Sequence, residues 1–195
     1  MLEIIFENKQ ILVLNKPSGL VVNRSLTIKE KTLQDLVGDY FGLTSSELGI
    51  GDRAGIVHRL DRETSGVMVV AKSKKVFEKL QLQFKNREVE KNYISLVHGH
   101  FSQNEGIIEG NMERIGKFGK FGIVKRGGKD SQTEFKKISN FKFSEKSFKK
   151  FLELGEFNKV RMRYLEANAQ KYSLVEFYPK TGRTHQIRVH AKSIG

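Results

Sequence analysis

The feature that most limits the fold is a recurrence of short apolar runs, each stopped by turn residues. Residues 10–14 (QILVL) end at Asn15-Lys16-Pro17-Ser18-Gly19, a strong turn signal, and read as a buried strand. Residues 66–71 (GVMVVA) and 93–97 (YISLV) are runs of the same kind. Residues 131–138 and 172–178 read as further strands, the last setting Tyr172, Leu174 and Glu176 against Ser173, Val175 and Phe177. Five glycines in residues 116–128 predict turns between short strands. Helical spacing occurs only in separated places. Leu33, Leu36, Val37 and Tyr40 follow the candidate N-cap Thr32, and Val76, Phe77, Leu80 and Phe84 follow Ser73. Thr184 to Gly195 has helical spacing through Ile187, Ala191 and Ile194. Residues 144–171, of mixed charge and helical propensity, read as an inserted surface segment. Many short strands with few helices predict an α+β fold: a mixed, mostly antiparallel central sheet with flanking helices.

Composition narrows the function. The 195 residues favour one domain and, at 38% hydrophobic, can bury a core. The chain has no cysteine, which excludes disulfides and thiolate chemistry and fits a cytoplasmic location. The start, MLEIIFENKQ, lacks the pattern of a signal peptide. No apolar stretch approaches the roughly 20 residues that span a bilayer, so no membrane association is expected. Lys and Arg number 35 against 22 Asp and Glu, a net charge of +13. Such an excess attracts polyanions. Residues 111–150 hold 12 Lys/Arg against four acids, so +8 of the excess is concentrated there, including Lys117, Lys120, Lys125 and Arg126. Phe118 and Phe121 interleave with these cations, a pattern suited to RNA contact.

Two segments carry chemistry. His58-Arg59-Leu60-Asp61-Arg62-Glu63-Thr64-Ser65-Gly66 crowds titratable side chains into nine residues just before a buried strand. Lys180-Thr181-Gly182-Arg183-Thr184-His185-Gln186-Ile187-Arg188 predicts a glycine turn and then a helix start carrying Arg183 and Thr184, a favourable anion site. His98 with His100 and His185 with His190 are the pairs a metal would use. Without cysteine or a carboxylate at ligand spacing, no metal site is expected.

HRLDRETSG followed by VMVVAK resembles the central signature of RluA-type pseudouridine synthases, and TGRTHQIRVHA resembles their late signature. NKPSGLVV resembles their opening strand and turn, and EKNYISLVHG their Lys-x-Tyr strand. The four occur in the family's order across residues 12–194. The resemblance implies a pseudouridine synthase catalytic fold over residues 1–195. It also implies that the chain lacks the N-terminal S4-type domain of many relatives and is truncated before its C-terminal end. The implied activity is isomerisation of uridine to pseudouridine in structured RNA, ribosomal or transfer, with no cofactor. Asp61 takes the place of the catalytic aspartate, acting by addition to the sugar or by abstraction of a ribose proton. Arg183 resembles its ion-pair partner, and an arginine within about 4–6 Å keeps a carboxyl ionised. Tyr93 resembles the tyrosine that stacks on the flipped uracil and meets the C5 proton. Arg59 resembles a residue entering the RNA stack as the base leaves, His58 a phosphate contact or loop brace, and Lys91 a strand support or phosphate contact. A monomer with no obligate protein partner is the default. Two other readings compete. One is a truncated homologue that binds RNA without converting it. The other is a glycosidic hydrolase pairing Asp61 with Glu63, the only nearby second acid.

Overall fold

A computed structural model describes residues 2–42, 53–116, 120–142, 144–154, 163 and 171–194. The chain divides into two compact units, Met1–Val89 and Glu90–Gly195. Every strand pairing in either unit is antiparallel among the described residues.

The first unit is a three-stranded sheet, β1 (Glu3–Glu7), β2 (Ile11–Lys16) and β3 (Gly66–Ala71), in the order β1-β2-β3. Leu12 lies opposite Val70 and Leu14 opposite Met68, and all four are fully buried. Each such side chain contributes about 1.5–3 kcal/mol on burial. The apolar run in β2 nonetheless alternates, with Leu12, Leu14 and Lys16 inward and Ile11, Val13 and Asn15 only half-buried. The outer edge of β3 is covered by chain: Ile56 bridges Val70, and the Ala71 N–H donates to the Gly55 carbonyl (2.9 Å). Helix α1 (Leu33–Phe41) begins where expected. The Thr32 hydroxyl accepts from the Asp35 N–H while the Asp35 carboxylate accepts from the Thr32 N–H, a reciprocal capping box. It ends at Gly42 in the left-handed conformation. Helix α2 (Lys74–Lys85) is capped by Ser73, and Val76, Phe77, Leu80 and Phe84 form its half-buried face.

The second unit is a five-stranded sheet in the order β4-β8-β7-β5-β6. Its strands are β4 (Tyr93–His98), β5 (Glu105–Ile115), β6 (Lys120–Val124), β7 (Lys129–Lys142) and β8 (Lys171–Pro179). Helix α3 (Glu145–Leu154) follows β7, within the segment read as an insertion, most of whose remainder lies outside the described residues. Helix α4 (Gln186–Ser193) lies against β5, β6, β7 and β8. The core joins Phe101, Ile108, Phe135, Val175 and Phe177, and Tyr93, Val97, Ile187 and Ala191 pack on it. Phe101 sets its ring edge-on to Phe135 (5.1 Å) and Phe177 (6.2 Å). Helix α4 starts two residues later than the spacing predicts, because His185 at its N-cap takes a left-handed φ of 56°. Arg183 and Thr184 therefore belong to the turn before the helix.

Candidate active site

In the first unit the residues around Asp61 form a loop laced to the turn after β2. Lys16 continues the inward Leu12, Leu14 alternation, so its side chain enters the interior and is 0% exposed. Its ammonium uses all three donors on carbonyls: Pro17 (2.8 Å), Leu20 (2.8 Å) and Arg62 (3.0 Å). Burial pushes this ammonium below the ordinary lysine value, and the negative charges of Glu63 and Asp61 oppose that shift. The two turns are further joined by Gly19 N–H to the Arg62 carbonyl (2.9 Å), Arg62 Nε to the Gly19 carbonyl (3.1 Å) and the Ser18 hydroxyl to the Glu63 carbonyl (2.9 Å). Gly19 has a φ of 85°, a region costly for a residue with a Cβ. Asp61 closes its own turn, its carbonyl accepting from the Thr64 N–H (3.1 Å), and is half-buried beside the buried Leu60.

His58 fixes the other limb of this loop. Its Nε2 accepts from the Val69 N–H of β3 (3.1 Å), and its ring stacks on Phe84 of α2 (4.7 Å between centroids). Arg59 is exposed on the loop's outer side. Glu63 points outward too, its side chain 75% exposed and 3.7 Å from Arg62. That setting lacks the apolar burial that tunes a carboxyl as a general acid, which weighs against pairing it with Asp61 in a hydrolase.

In the second unit Gln186, the first residue of α4, organises the turn carrying Arg183. Its Oε1 accepts from the Arg183 N–H (2.9 Å) and the Thr181 hydroxyl (2.7 Å). Its Nε2 donates to the Gln132 carbonyl (3.0 Å) and the Thr133 hydroxyl (2.9 Å) on β7. The Arg183 Nε donates to the Asp130 carbonyl (2.9 Å) at the start of the same strand. Tyr93 opens β4 opposite Phe177 and packs on the core cluster that also receives Ile187 and Ala191 of α4; Lys91 is half-buried just before it. Lys120, Lys125 and Arg126 are exposed on the outermost strand β6 and the turn after it, and none has an acidic partner among the described residues. Lys117 and Phe118 lie outside the described residues.

The model of the RNA pseudouridylate synthase family matches residues 10–193. The chain belongs to that family, in its RluA-type branch. It is 34% identical over 193 residues to ribosomal large subunit pseudouridine synthase D of Borreliella burgdorferi, covering 97% of this chain and 50% of that protein. It is 30% identical over 195 residues to tRNA pseudouridine synthase C of Yersinia pestis, covering 100% of this chain and 66% of that one. The chain spans about half the length of most of the curated relatives it matches. The solved structure of human RNA pseudouridylate synthase domain containing 1 superposes with a TM-score of 0.71 at 24% identity, covering 100% of this chain and 66% of that one, a likeness of fold.

Two residues that organise these turns, Lys16 and Gln186, have no candidate role in the sequence. The signal for Lys16 was its parity with Leu12 and Leu14, an inward position occupied by a charge. Gln186 gave no such signal, because its role depends on contacts with residues about 50 positions away. Of the histidine pairs, His190 is fully buried with its Nε2 on the Ser131 hydroxyl (2.9 Å), and His185 sits edge-on to Phe121 (5.9 Å). His98 lies beside Tyr172 (5.1 Å). Among the described residues no three metal-binding side chains converge, and no helix is long and apolar enough to cross a membrane.

Proposed function

We propose that residues 1–195 form a pseudouridine synthase catalytic domain that isomerises uridine in structured RNA, ribosomal or transfer, with Asp61 as its essential carboxylate. In the reaction the N1–C1′ bond breaks, the C5–C1′ bond forms, C5 loses its proton and N1 gains one. Substrate and product are isomers, so the balance needs no cofactor. The observation that carries the reading is the fold of HRLDRETSG: a loop anchored from inside by Lys16 and from the side by His58, with Asp61 half-buried within it. A catalytic group needs that kind of second-layer fixation. Arg183 and Tyr93 are assigned catalytic roles on their motif positions. Arg59, His58, Lys91, Lys117, Lys120, Lys125 and Arg126 are assigned to RNA binding. A cytoplasmic location accords with the absence of cysteine, and a monomer is the default assignment.

The test is tritium release from C5-labelled uridine in ribosomal and transfer RNA, comparing the chain with Asp61→Asn. The expected result is release by the parent alone, with RNA affinity of the variant within about tenfold of the parent, because the substitution removes a charge from the chemistry and little from the footprint. Equal loss of binding and turnover would make Asp61 a structural residue. Salt-dependent binding by the parent without release from either RNA would favour an RNA-binding homologue.

A further inference from the structure

The first unit contains a cleft of about 730 Å³ lined by Asn23, Arg24, Ser25, Leu26, Gln34, Arg53 and Arg59. Three guanidiniums around one concavity repel each other, yet only Arg24 is balanced, by Asp35. Arg53 and Arg59 are exposed and have no acidic partner among the described residues. Among the described residues, the cleft therefore keeps two positive charges without an acidic partner. Its remaining wall is fixed: the Asp35 that holds Arg24 also caps α1, and the Arg24 N–H donates to Gln34 Oε1 (3.2 Å). Two further features suit a nucleotide. The Asn23 Oδ1 is buried with no hydrogen-bond partner, an arrangement that costs free energy until a donor arrives. Leu26 stands fully in solvent at the rim, 107% exposed, an apolar face with nothing against it.

The geometry points to a nucleotide subsite in this cleft: it holds the RNA nucleotide next to the target uridine, with the phosphate on Arg53 and Arg59 and an N–H of the base edge on Asn23. Leu26 closes over the base, as apolar side chains do beside flipped nucleotides. Arg59 lines the cleft and stands two residues before Asp61, a chain distance of at most about 7 Å, which sets the cleft beside the loop that carries Asp61. The assignment rests on the RNA reading of the Asp61 loop.

The test uses the full chain and a fluorescein-labelled nine-nucleotide oligouridylate, with dissociation constants measured by anisotropy across a salt series. Arg53→Gln, at an exposed position where the fold has little to lose, is expected to weaken binding about three- to tenfold and to lower the salt slope by about 0.7, the share of one phosphate on a single strand. Arg53→Lys should restore the slope. Asn23→Ala should weaken oligouridylate binding about threefold and leave binding of an abasic backbone of equal length unchanged. An Arg53→Gln chain with parental affinity and slope overturns the subsite while leaving the RNA reading intact. Absence of salt-dependent binding by the parent overturns both. An Asn23→Ala effect equal on both probes removes the base contact and reduces the cleft to a phosphate site, which also refutes the assignment as stated.

Discussion

Replacing Lys16 by methionine isolates what the buried ammonium does, because the side chain keeps nearly its length and leaves little cavity. Of the three carbonyls it serves, that of Arg62 retains the Gly19 N–H as a second donor, whereas those of Pro17 and Leu20 depend on Nζ. Pro17 is exposed and Leu20 half-buried, so leaving their two carbonyls without the ammonium costs about 1 kcal/mol each, the low end for a polar group that loses its partner. Part is offset because the folded state no longer holds a desolvated cation. A net loss of about 1–2 kcal/mol follows, a sizeable fraction of the roughly 5–15 kcal/mol that holds a domain together. Urea unfolding followed by circular dichroism should show the midpoint falling by about 0.5–1 M with an unchanged slope. Tritium release, assayed well below the transition, should lose turnover more than apparent affinity, since the loop carrying Asp61 loosens while the exposed cations remain. The sign of the pH dependence adds a check. Between the lowered value of Lys16 and the ordinary 10.5, the unfolded chain holds a proton that the folded chain has released. This group therefore makes stability rise with pH in that window and contributes nothing to the slope below it. The methionine variant should lose that alkaline component. Parental stability and turnover in Lys16→Met would refute the reasoning, showing that the two turns hold each other without the lysine.

Two other perturbations bear on the second unit. Gln186→Leu removes a hub of four hydrogen bonds and should cost about 2–4 kcal/mol. Because the Arg183 N–H loses its acceptor, turnover should fall further than Gln186→Glu makes it fall, measured by single-turnover tritium release. His190 is fully buried and its pKa is pushed below 6.5 by that burial. Its contribution to stability is complete above 6.5 and is lost as pH falls through the lowered value, with a slope of at most about 1.4 kcal/mol per pH unit. Thermal unfolding between pH 7 and 4.5 should show this acid limb in the parent and a flatter one in His190→Gln.

The parts of the fold that were legible are those whose order is local. Thr32 and Ser73 mark helix starts because capping is decided within four residues. Residues 66–71 and 93–97 declare strands because each is a bounded apolar run. The strands missed are β1 and β5. In β5 only Ile108 and Met112 are fully buried, while Glu105, Glu109, Glu113 and Arg114 face out and Gly106 and Gly110 interrupt the alternation. In β1 all five residues are exposed, so no inward face exists to read. For the helix carrying the late motif, the hydrophobic spacing starts two residues before α4 does, for a different reason. The hydrophobic spacing fixes the face of α4, but its first residue is set by the left-handed His185 and by Gln186 reaching β7.

The candidate site divides along the same line. The motifs name Asp61 and Arg183 because side-chain identity is written in the chain. What holds each in place is a polar side chain reaching distant backbone: Lys16 to the Arg62 carbonyl 46 residues on, and Gln186 to the Gln132 carbonyl 54 residues back. An apolar core does not fix a loop this way, because apolar contact is non-directional and leaves a turn several equivalent placements. A saturated hydrogen-bond hub has one placement, and every departure from it strands a buried donor or acceptor. Both motif turns are built on such a hub inside their own unit. Substitutions at Lys16 and Gln186 should therefore register in turnover as well as in stability, whereas an apolar truncation such as Val37→Ala, away from either hub, should lower stability and leave the turnover of the folded fraction unchanged.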